Sequence, residues 1–153
     1  ATPDGAPLAG TPLDEPRTIA IDDAGDLYVA LREGNTILRV DAAARTLHHV
    51  AGTGEKGYSG DGGPARLATF AGPKGLAWWR DALYVADTEN HVVRRIDLRS
   101  RIVATVLGTG QRGDGPETDP LRCALSRPHG VLVDARGVLY VGDSEAHRIR
   151  VVT

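Results

Sequence analysis

The sequence contains no methionine, one cysteine (Cys123) and one phenylalanine in 153 residues. A single thiol excludes an intramolecular disulfide and any cysteine-rich metal site. Methionine is missing even from position 1, so the chain is expected to be a piece of a longer protein. No apolar run approaches the roughly 20 residues that a membrane-spanning helix needs. Neither charge is in excess. The 18 Lys and Arg against 20 Asp and Glu leave a net charge of −2, which gives no electrostatic footprint for nucleic acid or an anionic membrane. No window of ten or more residues carries a helical stripe. What the chain does have is turn chemistry, with 19 glycines and 9 prolines, high for a helical protein and short of a low-complexity one. At about the length of one ordinary domain it can bury a core.

Internal repetition organises the rest. Three stretches share one pattern: IAIDDAGDLYVALREGNTILRVD from Ile19, LAWWRDALYVADTENHVVRRIDL from Leu76 and VLVDARGVLYVGDSEAHRIRVVT from Val131. Tyr28, Tyr84 and Tyr140 are 56 apart, as are Glu33, Glu89 and Glu145. The opening prolines Pro16, Pro73 and Pro128 drift by one residue, which puts small length changes in the connecting loops. Within each unit the apolar period is two, in short β-branched or aromatic runs bounded by Gly, Asp and Asn. The first unit predicts strands at 18–22, 26–31, 36–41 and 45–51. Asp23-Ala24-Gly25, Ala135-Arg136-Gly137 and the shortened Trp79-Arg80-Asp81 predict tight hairpins. The fold class is all-β. Four antiparallel strands in each of several equal units of about 55 residues read as β-propeller blades, since each small sheet has two apolar faces that only neighbouring sheets can cover. The blades are expected at about 14–55, 71–111 and 126–153, the last without its fourth strand. Long loops are expected at 1–16, 52–73 and 108–128.

The runs LYVADTENHVVRRIDL and LYVGDSEAHRIRVV, with GTGEKGYSGDGGPA and FAGPKGLA in the loop between blades, resemble the NHL-repeat family. The first unit departs from the pattern, with ALREGNTILRV where the family has Ala-Asp and Asn-His. The resemblance implies the C-terminal half of a six-bladed bacterial propeller, with an exported or periplasmic location favoured. Three blades cannot close a ring, so the expected partner is a second copy completing six blades, or a missing N-terminal half.

Long connections gather on one rim, where binding usually lives. Loops 31–36, 87–92 and 143–148 are expected there. The residue after each opening proline, Arg17, Lys74 and His129, starts the innermost strand and belongs at the channel mouth. Two readings stand. The three form a funnel for a carboxylate, sulfate or phosphate group, or they pair with Glu33, Glu89 and Glu145 in an ordering ring of salt bridges. Asp87 with His91, and Asp143 with His147, are read as a loop clasp in which the aspartate accepts from backbone or imidazole. Asp61-Gly62-Gly63 and Asp114-Gly115 lack the calcium-liganding series and are read as turn formers. His48 and His49 face opposite sides of a strand and cannot chelate one ion together. Trp78 and Trp79 read as inter-blade packing and Cys123 as a buried thiol.

No nucleophile elbow, P-loop or dinucleotide fingerprint is present. The function expected is therefore a non-catalytic binding or scaffold module for a protein, peptide or glycan, with no resident metal or cofactor. Two alternatives come from the resemblance. One is a lyase or hydrolase holding Ca²⁺ or Zn²⁺ in the channel and recruiting His129, Glu89 and His91. The other is RNA binding, against which the charge balance argues.

Overall fold

Each Leu-Tyr-Val run becomes the second strand of an antiparallel meander, because alternate residues of such a run give one apolar face to each side of a sheet. The computed structural model describes residues 2–153; Ala1, at the head of the expected first loop, lies outside the described residues. The first unit holds β1 (Ala6–Pro7), β2 (Pro16–Ile21), β3 (Leu27–Leu31), β4 (Thr36–Asp41) and β5 (Thr46–Ala51). The second holds β6 (Gly75–Trp79), β7 (Ala82–Asp87), β8 (Val92–Asp97) and β9 (Ile102–Leu107). The third holds β10 (Pro128–Val133), β11 (Leu139–Asp143) and β12 (Arg148–Val152). The sheets run β1-β5-β4-β3-β2, β6-β7-β8-β9 and β10-β11-β12.

The extra strand β1 falls inside the stretch expected to be loop. Its neighbours lie against the outer strand of their own blade: the Gly5 N–H donates to the Leu47 carbonyl and the Leu8 N–H to that of Arg45, both at 2.8 Å. The same crossing recurs one repeat later, where the N–H groups of Gly62 and Ala65 donate to the Val103 and Arg101 carbonyls at 2.8 Å. The first two long loops therefore each add a short outer rung to the blade that follows. The hairpins use the residues the turns require. Arg80 and Asp81 both take positive φ, 45° and 59°, the type I′ geometry of a two-residue hairpin. Asp22 and Asp134 each accept two backbone N–H bonds inside the longer versions.

Blades stack face to face along β2, β6 and β10, the innermost strands. Between blades 1 and 2 lie Tyr28, Ile37, Leu83, Val85 and Ile96, with Phe70 from the connecting loop. Between blades 2 and 3 lie Val93, Leu107, Leu139, Val141 and Leu125, with Cys123, whose thiol burial pushes up. Trp78 packs at the edge of the first cluster, and Trp79 sits against the turn at Gly137. The outward face of blade 1 has its own cluster of Val29, Leu31, Leu38, Val40 and Leu47, partly roofed by Leu13. Beside it Ile19 stays 63% exposed. The outward face of blade 3 has no roof. Ile149 is 71% exposed, although Ile37 and Val93 at the same repeat position are 0% exposed.

Candidate functional site at the mouth of the inner strands

Arg17, Lys74 and His129 begin neighbouring inner strands, and their electrostatics record how close they are. Burial lowers the Lys74 pKa, and the charges of Arg127, Arg32 and Arg17 lower it further against a pull from Glu89. Burial also lowers His129, with repulsion from Lys74, Arg127 and Arg17. Arg17 is exposed, the Lys74 side chain is only 9% exposed, and His129 Nε2 is buried with no hydrogen-bond partner among the described residues.

The rim glutamates are ion-paired, mainly to other arginines than those the repeat pointed to. Glu89 takes two bonds from Arg127, 2.6 Å from Nη2 and 3.3 Å from Nε, while Lys74 Nζ stands 3.9 Å away. Glu145 takes Arg127 Nη1 at 2.7 Å and also meets Arg112. Glu33 meets Arg32 at 3.0 Å, and the same guanidinium holds Glu15 at 2.8 Å. These arginines hold Glu89 and Glu145 below the usual carboxylate range. Of the ring expected between the three inner-strand residues and the three glutamates, only the long Lys74–Glu89 pair is present. Arg127 displaces the others, because one planar guanidinium reaches two carboxylates at once.

Of the two acceptor roles expected for the clasp aspartates, the structure shows the bond from backbone and not the one from imidazole. Asp87 and Asp143 are fully buried and accept from the backbone of the loop that enters their blade: the Ala71 N–H at 2.8 Å and the Ser126 N–H at 2.7 Å. Neither meets its histidine. Asp87 also takes Asn90 Nδ2 at 2.8 Å and stands 3.5 Å from Arg94. Burial pushes its carboxyl up to about 6 in spite of these donors. His91 sits in the left-handed region at φ 57° and its Nδ1 accepts the Arg127 N–H at 3.1 Å. Asn35, at the same repeat position, accepts the Gly72 N–H at 2.9 Å. This position therefore ties each blade to the next one. His147 has the same backbone geometry and is exposed.

Sequence reading missed Arg94 and Arg150. Arg94 is completely buried between Phe70 and Tyr58, with its guanidinium carbon 4.6 and 5.3 Å from the two ring centres. It donates at 2.7 Å to the Ser59 and Thr69 carbonyls and at 2.9 Å to Asp61. Arg150 repeats the design with Asp143, Asp114 and Glu117. Asp61 does sit in a turn, with Gly62 at φ 83° and the Gly63 N–H on the Gly60 carbonyl, but its side chain, like that of Asp114, also anchors a buried arginine, and Arg148 and Arg150 hold the Asp114 pKa down at about 2. The available signal was an arginine seven residues after both Asp87 and Asp143, at the same place in two repeats.

The histidine pair of β5 is divided as its strand dictates. His48 Nε2 meets Thr46 Oγ1 at 2.9 Å, and Arg66 Nε donates to His49 Nδ1 at 3.1 Å. Among the described residues no three His, Cys, Asp or Glu side chains come together as a metal site. The three residues suggested for a channel metal are already committed or apart, with Glu89 on Arg127 and the His91 Nδ1 on a backbone N–H.

Residues 125–152 match the family model described as NHL repeat. The chain is similar to NHL repeat-containing protein 2 of Gallus gallus, 35% identical over 106 residues that make up 69% of this chain and 14% of that protein. It is also similar to Protein SUPPRESSOR OF QUENCHING 1, chloroplastic, of Arabidopsis thaliana, 36% identical over 109 residues, 69% of this chain and 10% of that protein. The chain thus spans a small part of these relatives' length. Its fold is that of an auxiliary nutrient binding protein from Bacteroides ovatus, at TM-score 0.73 and 22% identity, covering 88% of this chain and 36% of that one. Sequence relatives, family model and three stacked meanders agree, and the chain belongs to the NHL-repeat family of β-propellers.

Proposed function

We propose that this module is non-catalytic and presents its loop-rich rim to a protein, peptide or glycan, holding an anionic group of that partner with Arg17, Lys74 and His129. Lys74 carries the reading. Its side chain is nine-tenths buried, and the carboxylate nearest to it stands 3.9 Å away and is already held by Arg127. A buried ammonium without a close partner is costly. A carboxylate, sulfate or phosphate placed there would neutralise it, give His129 Nε2 a partner and relieve the repulsion among the three cations. Calorimetry with inorganic sulfate tests this. The double variant Arg17→Ala, Lys74→Ala is expected to weaken binding about tenfold or more. Unchanged affinity would remove the proposal.

The ring-completing partner is proposed as a second copy stacked head to tail, so that two copies supply six blades. Support comes from the two outward faces, which carry at Ile19 and Ile149 the apolar positions that are buried at the internal seams. Light scattering at micromolar concentration is expected to give about 32 kDa, twice the 16.2 kDa of the chain. A mass near that of one chain would contradict it.

A further inference from the structure

The seam between blades 1 and 2 opens into a groove of about 300 Å³, at the small end of the range for small-molecule sites. Every strand that walls it is present. Tyr28, Arg39 and His48 lie side by side on β3, β4 and β5, and Leu98 and Arg101 line it from the turn between β8 and β9. Arg66 joins them from the loop between the two blades.

Two of the three guanidiniums are balanced. Arg39 Nη1 stands 2.7 Å from Asp26 and 3.9 Å from Asp41, and Arg66 is held by Asp4. Arg101 is not. Asp97 and Asp81 of its own blade go to Arg95 and Arg99, and among the described residues no carboxylate lies within ion-pair distance of Arg101. Its backbone is in the left-handed region at φ 63°, with its N–H on the Asp97 carbonyl. The second open group is a hydroxyl. Tyr28 is only 5% exposed, yet its hydroxyl bonds to nothing among the described residues. Burial raises its pKa, and Asp22, Asp26 and Asp81 add to the rise against a pull from Arg39, so the hydroxyl keeps its proton to donate. Val50 and Leu98 pack on the same cluster as Tyr28 and give the groove an apolar floor.

From a free guanidinium and a free, buried hydroxyl over one apolar floor, we infer that this groove is a binding site for a small hydroxylated carboxylate, the chemistry of a sugar acid. The carboxylate takes two parallel N–H bonds from Arg101, whose planar fork matches it. The Arg39–Asp26 and Arg66–Asp4 pairs leave one positive charge, which suits a monoanion better than a phosphate ester of charge about −1.5 to −2. The other end of the ligand meets Tyr28. The carboxylates of Asp22, Asp26 and Asp81 bear on that hydroxyl, so a second anionic group is disfavoured there and a ligand hydroxyl is favoured. Such a ligand touches both blades and fastens the seam between them, so it should also raise the melting temperature. The site is separate from the channel mouth, because Arg101 lies in the turn after β8 and Lys74 and His129 begin the inner strands.

The probe is D-glucuronate, titrated into the full chain and followed through the amide resonances of Val50, Leu98 and Arg101. Saturation with a Kd of about 1 mM or below is expected. Glucose, which lacks the carboxylate, and acetate, which lacks the hydroxyls, should each bind at least tenfold more weakly. Arg101→Gln should weaken glucuronate at least tenfold and Tyr28→Phe about fivefold. Without the probe, both variants should melt within about 2 °C of the parent, since neither group has a partner to lose. Methyl glucuronide, blocked as in a chain, separates the sources: equal binding assigns the groove to a residue of an acidic glycan, and binding of the free acid alone assigns it to a monomer. The titration is repeated in the Arg17→Ala, Lys74→Ala chain, whose channel mouth has lost two cations, and the same constant is expected there. Shifts confined to the amides of Lys74 and His129 overturn the inference. So does equal binding by acetate or glucose, or no shift at the three groove amides up to about 10 mM probe.

Discussion

Replacing Arg94 with alanine is expected to cost about 3–5 kcal/mol of folding stability, enough to threaten a domain whose total is about 5–15 kcal/mol. The guanidinium fills the space between Phe70 and Tyr58, so its loss opens a void. It also strands the carbonyls of Ser59 and Thr69 and leaves Asp87 buried without its cation. Blade 1 shows the alternative, because Leu31 and Leu38 occupy the positions of Asp87 and Arg94 and are both buried. The double variant Asp87→Leu, Arg94→Leu should therefore lose less than the two single changes together, a coupling that urea unfolding of all four chains measures. An additive result would remove the paired role. The pair also has a pH signature. The Asp87 carboxyl rises from 3.8 to about 6 on burial, so between those values the folded chain keeps a proton that the unfolded chain has released. Stability from this group is greatest below the unfolded value and falls as pH rises through the folded one, by about 3 kcal/mol in all. Asp87→Asn should abolish that slope, giving a difference curve against the parent that declines between about pH 4 and 6.

Gly75→Ala is expected to be nearly as damaging, for a steric reason. A Cβ there would stand 2.2 Å from the His129 carbonyl oxygen across the seam between β6 and β10, and 3.1 Å from Ala86 Cβ. Backbone cannot yield that much locally, so the seam must open, at about 3 kcal/mol or more. Gly130 is the control. It holds the same repeat position on the open side of blade 3, where a Cβ meets nothing within 4 Å. Gly130→Ala is expected to stay within about 0.5 kcal/mol of the parent. Thermal or urea melts of the two variants decide the matter, and equal losses would mean that the seam does not depend on this close approach.

How much of this was legible in the sequence follows from periodicity. Strands β3 and β4 came within a residue of their expected bounds because LYVAL and TILRVD are short runs of β-branched, aromatic and aliphatic residues bounded by turn residues. β1 did not show itself, because Ala6–Pro7 has no period and is held by main-chain bonds to a strand forty residues later. At the rim, repetition placed Arg17, Lys74 and His129 on neighbouring strands and could not place their partners. Arg127 is the decisive case. It bridges Glu89 and Glu145, yet its counterparts before the other opening prolines are Glu15 and Gly72, so no comparison between units could flag it. Arg94 and Arg150 hid for the opposite reason. They recur in two of the three units, but a charged residue in a strand reads as solvent-facing until the acceptors around it are seen.

Blade 2 alone is covered on both sides, and every link that crosses a seam begins or ends on it or on the loops beside it. In an arch that part is the keystone. Within a single separated copy, exchange with solvent and loss of order should start at the flanking wedges and reach the middle last.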